Sequence, residues 1–247
     1  MTSAEAATAT AQVTASRNAY QRDPVSLSGG HSAATLLRTF LTTTLERIVP
    51  LTQAGVSSGA KVFGAAVFSK QDGLRPVTVG TNTETSSPLL HGEIQTIQQF
   101  YALDKAKGER PDAKETVFFA THEPCSLCLS GITWGGWDNF FYLFTYEDTR
   151  DAFSIPHDIR ILEEVFRVRS TCGHESEADL AARRLYNAHN ALFSSYSCAE
   201  LLDLVPAADP DRAELVRLWD EVRAVYARLA EGYAESKEKG GADIPLA

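Results

Sequence analysis

The chain has 247 residues, 44% of them hydrophobic and 22% charged, which suffices for one large domain or for a domain with an extension. Its formal net charge of -9 argues against a long polynucleotide as the partner, because nucleic-acid-binding proteins usually carry a basic face. No hydrophobic run approaches the length of a membrane-spanning helix, and residues 1–13 lack the basic start of a secretory signal.

The N-terminal part predicts an arm followed by a helix. Residues 1–30 are rich in Ala, Thr and Ser and end in Ser28-Gly29-Gly30, which indicates a flexible N-terminal arm. Over residues 32–49 apolar side chains recur at spacings of four and three, so they share one helical face. Pro50 is expected to end or kink this helix.

The segments between residues 62 and 145 predict the centre of the fold. Apolar runs bounded by Gly, Pro and Asp indicate strands, and apolar spacings of three and four indicate helices. The predicted strands are 62–68, 75–79, 116–120 and 139–145, and the predicted helices run from His91 to about Lys107 and from Cys125 to Trp134. Together with the first helix, this order predicts an α/β fold with a mixed sheet between helices.

The C-terminal part predicts mainly helices. Residues 158–169 and 178–204 are expected to be helical, with the polar loop 170–177 between them. Asp209-Pro210 is typical of a helix start, and the final helix is expected to end at Gly240-Gly241. Its apolar residues form a narrow stripe, here called the apolar seam, which we expect to be buried against the domain or against a second subunit. The seam consists of Leu215, Trp219, Val222, Tyr226, Leu229 and Tyr233.

Two short motifs carry the chemistry of the sequence. They are His91-Gly92-Glu93 and Pro124-Cys125-Ser126-Leu127-Cys128, and each lies at a predicted helix start. His91, Cys125 and Cys128 could supply three ligands to Zn²⁺, which leaves the fourth position of a catalytic site open to water. The alternative, a closed structural zinc site, would need a fourth protein ligand. The spare cysteines, Cys172 and Cys198, are both far downstream.

These motifs resemble the zinc deaminase signature H-x-E followed by P-C-x-x-C, and the chain is similar on this evidence to the cytidine deaminase superfamily. The resemblance implies a three-layer α/β/α sandwich with a mixed central sheet and zinc at His91, Cys125 and Cys128. It also implies that Glu93 moves protons while water replaces an exocyclic amine and ammonia leaves. The sequence around His91 is similar to cytosine deaminases, and that around Cys125 to guanine and tRNA adenosine deaminases.

The same resemblance suggests residues that contact the substrate. Phe63 lies in the strand that walls the pocket in the family, and Asn82 in Gly80-Thr81-Asn82 matches an asparagine that typically bonds the substrate. His122 either faces the pocket or merely ends a strand. Trp134 follows the second motif, and is either a pocket residue or part of the core.

We therefore predict three regions: a flexible arm at 1–30, a zinc deaminase domain at 31–150 and a helical C-terminal extension at 151–247. The predicted substrate is a small amino-heterocycle, a nucleobase or a nucleoside, with water as co-substrate and no polynucleotide or membrane partner. A homodimer in the cytoplasm is expected. The alternatives are a tRNA adenosine deaminase and a zinc-stabilised binding or assembly protein without catalysis. Cys172-Gly173-His174 is interpreted as a polar loop.

Overall fold

A five-stranded mixed sheet lies at the centre of the protein. The structure is a computed structural model that describes residues 20–171 and 173–238. The strands are β1 (Gly64–Ser69), β2 (Pro76–Thr81), β3 (Thr116–His122), β4 (Asn139–Phe144) and β5 (Ser194–Ser197). They are ordered β2-β1-β3-β4-β5 across the sheet; β1 is antiparallel to both neighbours, whereas β3, β4 and β5 are parallel. The predicted mixed sheet is confirmed.

Ten α-helices accompany the sheet in the described residues. They are α1 (Pro24–Leu27), α2 (Ala33–Thr43), α3 (Val49–Val56), α4 (Gly92–Ala102), α5 (Ser126–Trp134), α6 (Tyr146–Asp151), α7 (His157–Ile161), α8 (Glu177–Ala181), α9 (Cys198–Leu204) and α10 (Arg212–Glu238). Two π-helical turns (Thr44–Ile48 and Leu162–Phe166) and one 3-10 turn (Ala113–Glu115) complete the set. No helix in this part of the chain is long and apolar enough to cross a membrane.

The two faces of the sheet pack against different helices. Because side chains alternate along a strand, Ala66 and Phe68 of β1 point into one hydrophobic cluster with α2, α9 and α10, and Ala65 and Val67 into another with α4 and α5. β4 contributes to both clusters and all six of its residues are buried, which explains its continuous apolar sequence. The result is the predicted α/β/α sandwich.

The first long helical segment does not end at Pro50. The π-helical turn Thr44–Ile48 comes directly before α3, and Pro50 lies in the first turn of that helix, which continues to Val56. A proline within a helix leaves a carbonyl without its usual N–H partner. The wider hydrogen-bond spacing of the π-turn accommodates this loss, so the helical path continues past the proline.

The prediction that residues 178–204 form one helix is wrong. Only α8 and α9 are helical there, and β5 lies between them and pairs in parallel with β4. The four residues of β5 are buried, but only Tyr196 carries a large side chain, so the sequence lacks the apolar alternation of a strand. The strand is specified instead by its place beside β4.

The apolar seam of α10 is buried, as predicted, and it packs on the protein's own fold. It belongs to the same hydrophobic cluster as α2 and α3. Only Trp219 remains partly exposed. The seam is thus buried within one chain, so it gives no reason to expect a second subunit. The predicted end of the helix, Gly240-Gly241, lies outside the described residues.

Contacts cross both predicted boundaries, the one after residue 30 and the one after residue 150. Of the predicted arm, residues 1–19 lie outside the described residues, but Arg22 donates from Nη2 to the carbonyl of Asp138 at 2.7 Å and from its backbone N–H to Ser194 Oγ at 3.2 Å. Residues 20–30 are therefore held against the sheet. Likewise β5, which follows residue 150, completes the sheet of the preceding region. The extension and the domain share one fold.

Candidate metal centre and active site

Two helix starts bring the motif residues together. His91 is the N-cap of α4 and Cys125 the N-cap of α5, both with extended backbone, and Cys128 lies in the first helical turn of α5. The two helices pack beside each other on one face of the sheet. The positive ends of both helix dipoles point toward this site, which favours thiolate over thiol.

The distances within this group fit a tetrahedral metal ion. His91 Nδ1 lies 3.4 Å from Cys125 Sγ and 3.6 Å from Cys128 Sγ. Zinc with ordinary Zn–N and Zn–S bond lengths in tetrahedral geometry separates N and S by roughly 3.6 Å. The three ligand atoms lie within 4.8 Å of one another, and among the described residues no fourth His, Cys, Asp or Glu joins the group. The residues present therefore fit zinc, with one position left for a non-protein ligand.

The protonation states of the three possible metal ligands depend on one another. Burial alone would lower the pKa of His91, but hydrogen bonding and attraction from Cys125 outweigh it and raise the pKa to about 9. The pKa of the Cys125 thiol is lowered well below its usual range by hydrogen bonding, first from Cys128 and then from His91. Burial raises the pKa of the Cys128 thiol. A Cys125 thiolate beside a cationic His91 imidazole is thus favoured, and a bound metal cation would take the place of the proton on that imidazole.

Glu93 lies next to the group without belonging to it. It occupies the first turn of α4 and is 5% exposed. Burial, and then the negative charge of Cys125, raises the pKa of Glu93 to about 7, although His91 opposes the shift. A carboxyl group with a pKa near the working pH can both accept and return a proton.

Gly92 explains why this motif has glycine between His91 and Glu93. A Cβ at Gly92 would lie 2.8 Å from the Cα of Gly64 and 2.8 Å from the carbonyl oxygen of Phe63. Only glycine allows α4 to approach the start of β1 this closely. The contact fixes the position of the residues on either side, one a ligand and the other the acid–base candidate.

Asn82 serves a structural task in this fold. Its Oδ1 accepts from the Gly92 N–H at 2.5 Å and its Nδ2 donates to Glu84 at 2.9 Å. Glu84 also accepts from the backbone N–H of Lys61 at 2.6 Å and from its ammonium at 3.0 Å. Both polar ends of Asn82 are engaged, and its predicted contact with substrate stays a prediction. Sequence reasoning missed the buried pair of Lys61 and Glu84.

A cavity of about 270 Å³ opens beside the metal group. His91 and Cys125 form its floor together with Lys61, and α7 supplies another wall through Asp158 and neighbouring residues. Burial, and then the charge of Cys125, raises the pKa of Asp158 to about 7. Asp158 lies in the C-terminal region and follows Cys125 by 33 positions, so no motif could have assigned it to the site.

The remaining predicted substrate contacts do not line this cavity. His122 is buried among aromatic rings, 4.6 Å from the ring of Phe63 and in contact with Phe144, Phe153 and Tyr226. Burial lowers the pKa of His122 to about 3, so it is a neutral core residue. Phe63 packs on it and lies in the same core. Phe63 therefore does not line the cavity, and of the two interpretations of His122 the structure favours the one in which it ends a strand, β3.

Trp134 is the clearest departure from prediction. It is 92% exposed at the end of α5, so it belongs neither to the cavity nor to the core. Trp137, three residues later, is buried instead, and its indole N–H donates to Thr116 Oγ1 at 2.8 Å. The chain turns at Gly135 and Gly136 between the two tryptophans, and Gly136 has φ +81°. Because of this turn, the ring of Trp134 lies in solvent and the ring of Trp137 lies in the core.

No family model matches the chain, and no curated protein matches it. Among solved structures, the guanine deaminase from Bacillus subtilis is 30% identical to the chain, with a TM-score of 0.37. The similarity covers 47% of this chain and 68% of that one. The chain belongs to the cytidine deaminase-like superfamily. This identification confirms the resemblance seen in the two motifs.

Two further structures are similar at lower identity. The guanine deaminase from Nitrosomonas europaea is 15% identical, with 83% of this chain and 95% of that one covered and a TM-score of 0.40. A tRNA:A34 deaminase, which acts at the wobble position of transfer RNA, is 17% identical, with 63% and 97% covered and a TM-score of 0.39.

Proposed function

We propose that the chain is a zinc-dependent hydrolytic deaminase that removes the exocyclic amine of a small nucleobase, nucleoside or related amino-heterocycle as ammonia. The observation that carries the proposal is the pair of distances from His91 Nδ1 to the sulfurs of Cys125 and Cys128, 3.4 and 3.6 Å, beside an open cavity. Those distances suit a tetrahedral zinc site with an open position.

The chain's own residues account for the proton transfers. When bound, zinc supplies Lewis acidity to the reaction. The carboxylate of Glu93 takes one proton from the attacking water and passes it to a ring nitrogen. It then takes the second proton from the hydroxyl group that the water leaves on the carbon and delivers it to the departing amine. The water oxygen bonds to the carbon that carries the amine. The C–N bond then breaks, ammonia leaves and a carbonyl remains.

The cavity supports a small substrate. At about 270 Å³ it is close to the lower limit of about 300 Å³ for ligand pockets, which suits a heterocycle. Its polar groups include Asp158 and Lys61, and its apolar walls include Leu89 and Leu127. We propose that Asp158 accepts a hydrogen bond from an N–H of the substrate. The net charge of -9 makes transfer RNA the weaker alternative.

Ammonia release from a panel of substrates tests this proposal. The panel contains free aminopurines, cytosine, their nucleosides and a transfer RNA, each with zinc-loaded protein. 8-azaguanine and 2,6-diaminopurine, each bound in a structurally similar protein, serve as competitors. We expect turnover of at least one free base or nucleoside. Turnover of transfer RNA alone would overturn the small-molecule substrate, and no turnover of any member would favour the assembly protein.

The non-catalytic alternative explains less of the site. A zinc site that only stabilises the fold is closed by four protein ligands, and it needs no buried carboxylate beside it. Here the described residues supply three ligands, and Glu93 is buried next to them. Glu93 therefore favours the catalytic proposal.

A homodimer in the cytoplasm remains part of the proposal. The support for a reducing compartment is the use of Cys125 and Cys128 as metal ligands, since such thiols must stay reduced. The dimer rests on the family resemblance alone, because the apolar seam is buried within one chain. Light scattering of the full chain should give twice the monomer mass. A monomer at all concentrations would remove the dimer from the proposal.

A further inference from the structure

A second, larger cavity lies behind the metal site. Its volume is about 480 Å³, and it shares two elements with the metal pocket. On α7, Asp158 lines the metal pocket whereas Ile159 lines the second cavity. On the loop before α5, Cys125 lines the metal pocket whereas Glu123 lines the second cavity. The two cavities are thus neighbours with separate linings.

Four arginines line the second cavity, and two of them are already engaged. Arg150 donates from Nε and Nη2 to the carboxylate of Asp151, at 2.6 and 2.9 Å. Arg183 donates to the carbonyl of Val168 at 2.7 Å and pairs with Glu175. The remaining two are Arg167 and Arg184.

Arg167 is a mostly buried guanidinium with too few partners. Its side chain is 14% exposed, and its Nε is buried with no hydrogen-bond acceptor among the described residues. Its nearest carboxylate oxygen is that of Glu163, 3.6 Å from Nη1, on a side chain that is 40% exposed. A buried charge is costly unless it is paired and hydrogen-bonded. The charge of Arg167 is therefore only partly compensated by the described residues.

Arg184 is a second cation in the lining of the same cavity. Within residues 20–171 and 173–238, no carboxylate lies within ion-pair distance of it, and it is exposed. The bond from Arg183 to the Val168 carbonyl ties the chain around Arg184 to the chain around Arg167. The buried Nδ1 of His189, which also lines the cavity, likewise has no partner in the described part of the chain.

The acidic residues of the cavity are partly engaged elsewhere. Glu123 accepts from the Tyr186 hydroxyl at 2.7 Å and from the Tyr146 N–H at 3.1 Å. Glu200 accepts from the backbone N–H and the hydroxyl of Ser197, at 2.7 and 2.9 Å. Glu147 is exposed, so solvent screens its charge. None of these three is paired with Arg167 or Arg184.

We propose that this second cavity binds a small oxyanion, a phosphate or carboxylate group, between Arg167 and Arg184. The planar guanidinium presents donors in a fork that matches either group, and such charge-assisted pairs are the strong hydrogen bonds of proteins. The site is distinct from the deaminase pocket and does not depend on the proposed substrate.

Calorimetric titration of the full-length, zinc-loaded protein tests the proposal. The probes are inorganic phosphate and acetate, each at ionic strength matched with sodium chloride. We expect saturable binding of at least one probe, weakened roughly ten- to a hundredfold by Arg167→Gln and by Arg184→Gln. Arg217→Gln, an exposed arginine on α10 that pairs with Glu221 outside the cavity, is the matched control and should leave binding unchanged.

The binding results can either overturn the proposal or identify the class of the ligand. The proposal is overturned if neither probe binds in the tens of millimolar range, or if both cavity variants bind as tightly as the wild type. Binding of phosphate but not acetate identifies a phosphate-bearing ligand, and the reverse result a carboxylate. If circular dichroism shows that Arg167→Gln does not fold, the exposed Arg184→Gln decides alone.

Discussion

Residues 62–145 and residues 151–238 build the same site by different means. In the first region, short motifs at helix starts place His91, Cys125 and Cys128 within 4.8 Å of one another. In the second, no motif is visible, yet Asp158 walls the cavity and β5 closes the sheet. The metal ligands are set by local sequence, whereas the pocket around them depends on tertiary packing. We therefore expect substitutions in the two regions to affect different properties: catalysis in the first region, and stability or substrate binding in the second.

The largest effect is expected from removing α10. A chain that ends at Val205 loses the apolar seam and exposes the faces of α2 and α3 that it covers. Burial of each large apolar side chain contributes about 1.5–3 kcal/mol, and domains are stable by only about 5–15 kcal/mol. We expect no cooperative urea unfolding for this chain. A chain ending at Glu238, which keeps the whole helix, is the control; equal stability of the two would mean that the regions are separable.

The next largest effect is expected at Glu93. Glu93→Gln keeps the size and the hydrogen-bonding reach of the side chain but cannot take up the proton from water. We expect ammonia release to fall by roughly 10²–10⁴-fold, with zinc content and fold unchanged. Steady-state kinetics and metal analysis on the same sample measure both. Near-normal turnover would show that another group moves the protons.

A smaller effect is expected at Asp158, where the C-terminal region meets the substrate. Losing one charge-assisted hydrogen bond in Asp158→Asn should lower kcat/KM by roughly ten- to a hundredfold, mainly through KM, with zinc retained. Asp203→Asn, an exposed carboxylate on α9, is the matched control. Unchanged kinetics for Asp158→Asn would confine the chemistry to the first region.

The smallest effect is expected at His122, between the two regions. Its pKa of about 3 in the folded protein is below its usual 6.5, so the unfolded chain binds more protons between these values. Stability should therefore fall as the pH drops, by about 2 kcal/mol from pH 7 to pH 5. His122→Phe should remove this part of the pH dependence in urea titrations at both values. The same slope in both proteins would contradict the assignment of a buried neutral imidazole.

The two regions differ in how far their sequence predicts their fold. Four strands and their flanking helices could be predicted between residues 62 and 145, because apolar periodicity and Gly or Pro punctuation agree there. β5 could not, since Ser194-Ser195-Tyr196-Ser197 is mostly small and polar and becomes a strand only beside β4. α4 ends at Ala102, earlier than predicted, because Asp104 accepts from the Ala106 N–H and forms a turn.

For the site, the sequence predicts the group that could hold metal but not its surroundings. The spacing of His91, Cys125 and Cys128 limits which atoms can meet. By contrast, the direction of a side chain at a strand end depends on the packing above it. His122 points into the aromatic core for this reason, and Asp158 reaches the cavity only because α7 packs against the metal site.

The proposed zinc site can be tested by measuring the zinc content of three proteins. Wild-type protein, Cys125→Ala and Cys198→Ala are purified side by side and analysed for bound metal. Cys198 is a buried cysteine outside the metal group, so its variant controls for the loss of a thiol from the fold. We expect about one equivalent of zinc in the wild type and in Cys198→Ala, and almost none in Cys125→Ala. A full equivalent of zinc in Cys125→Ala would contradict the proposed site.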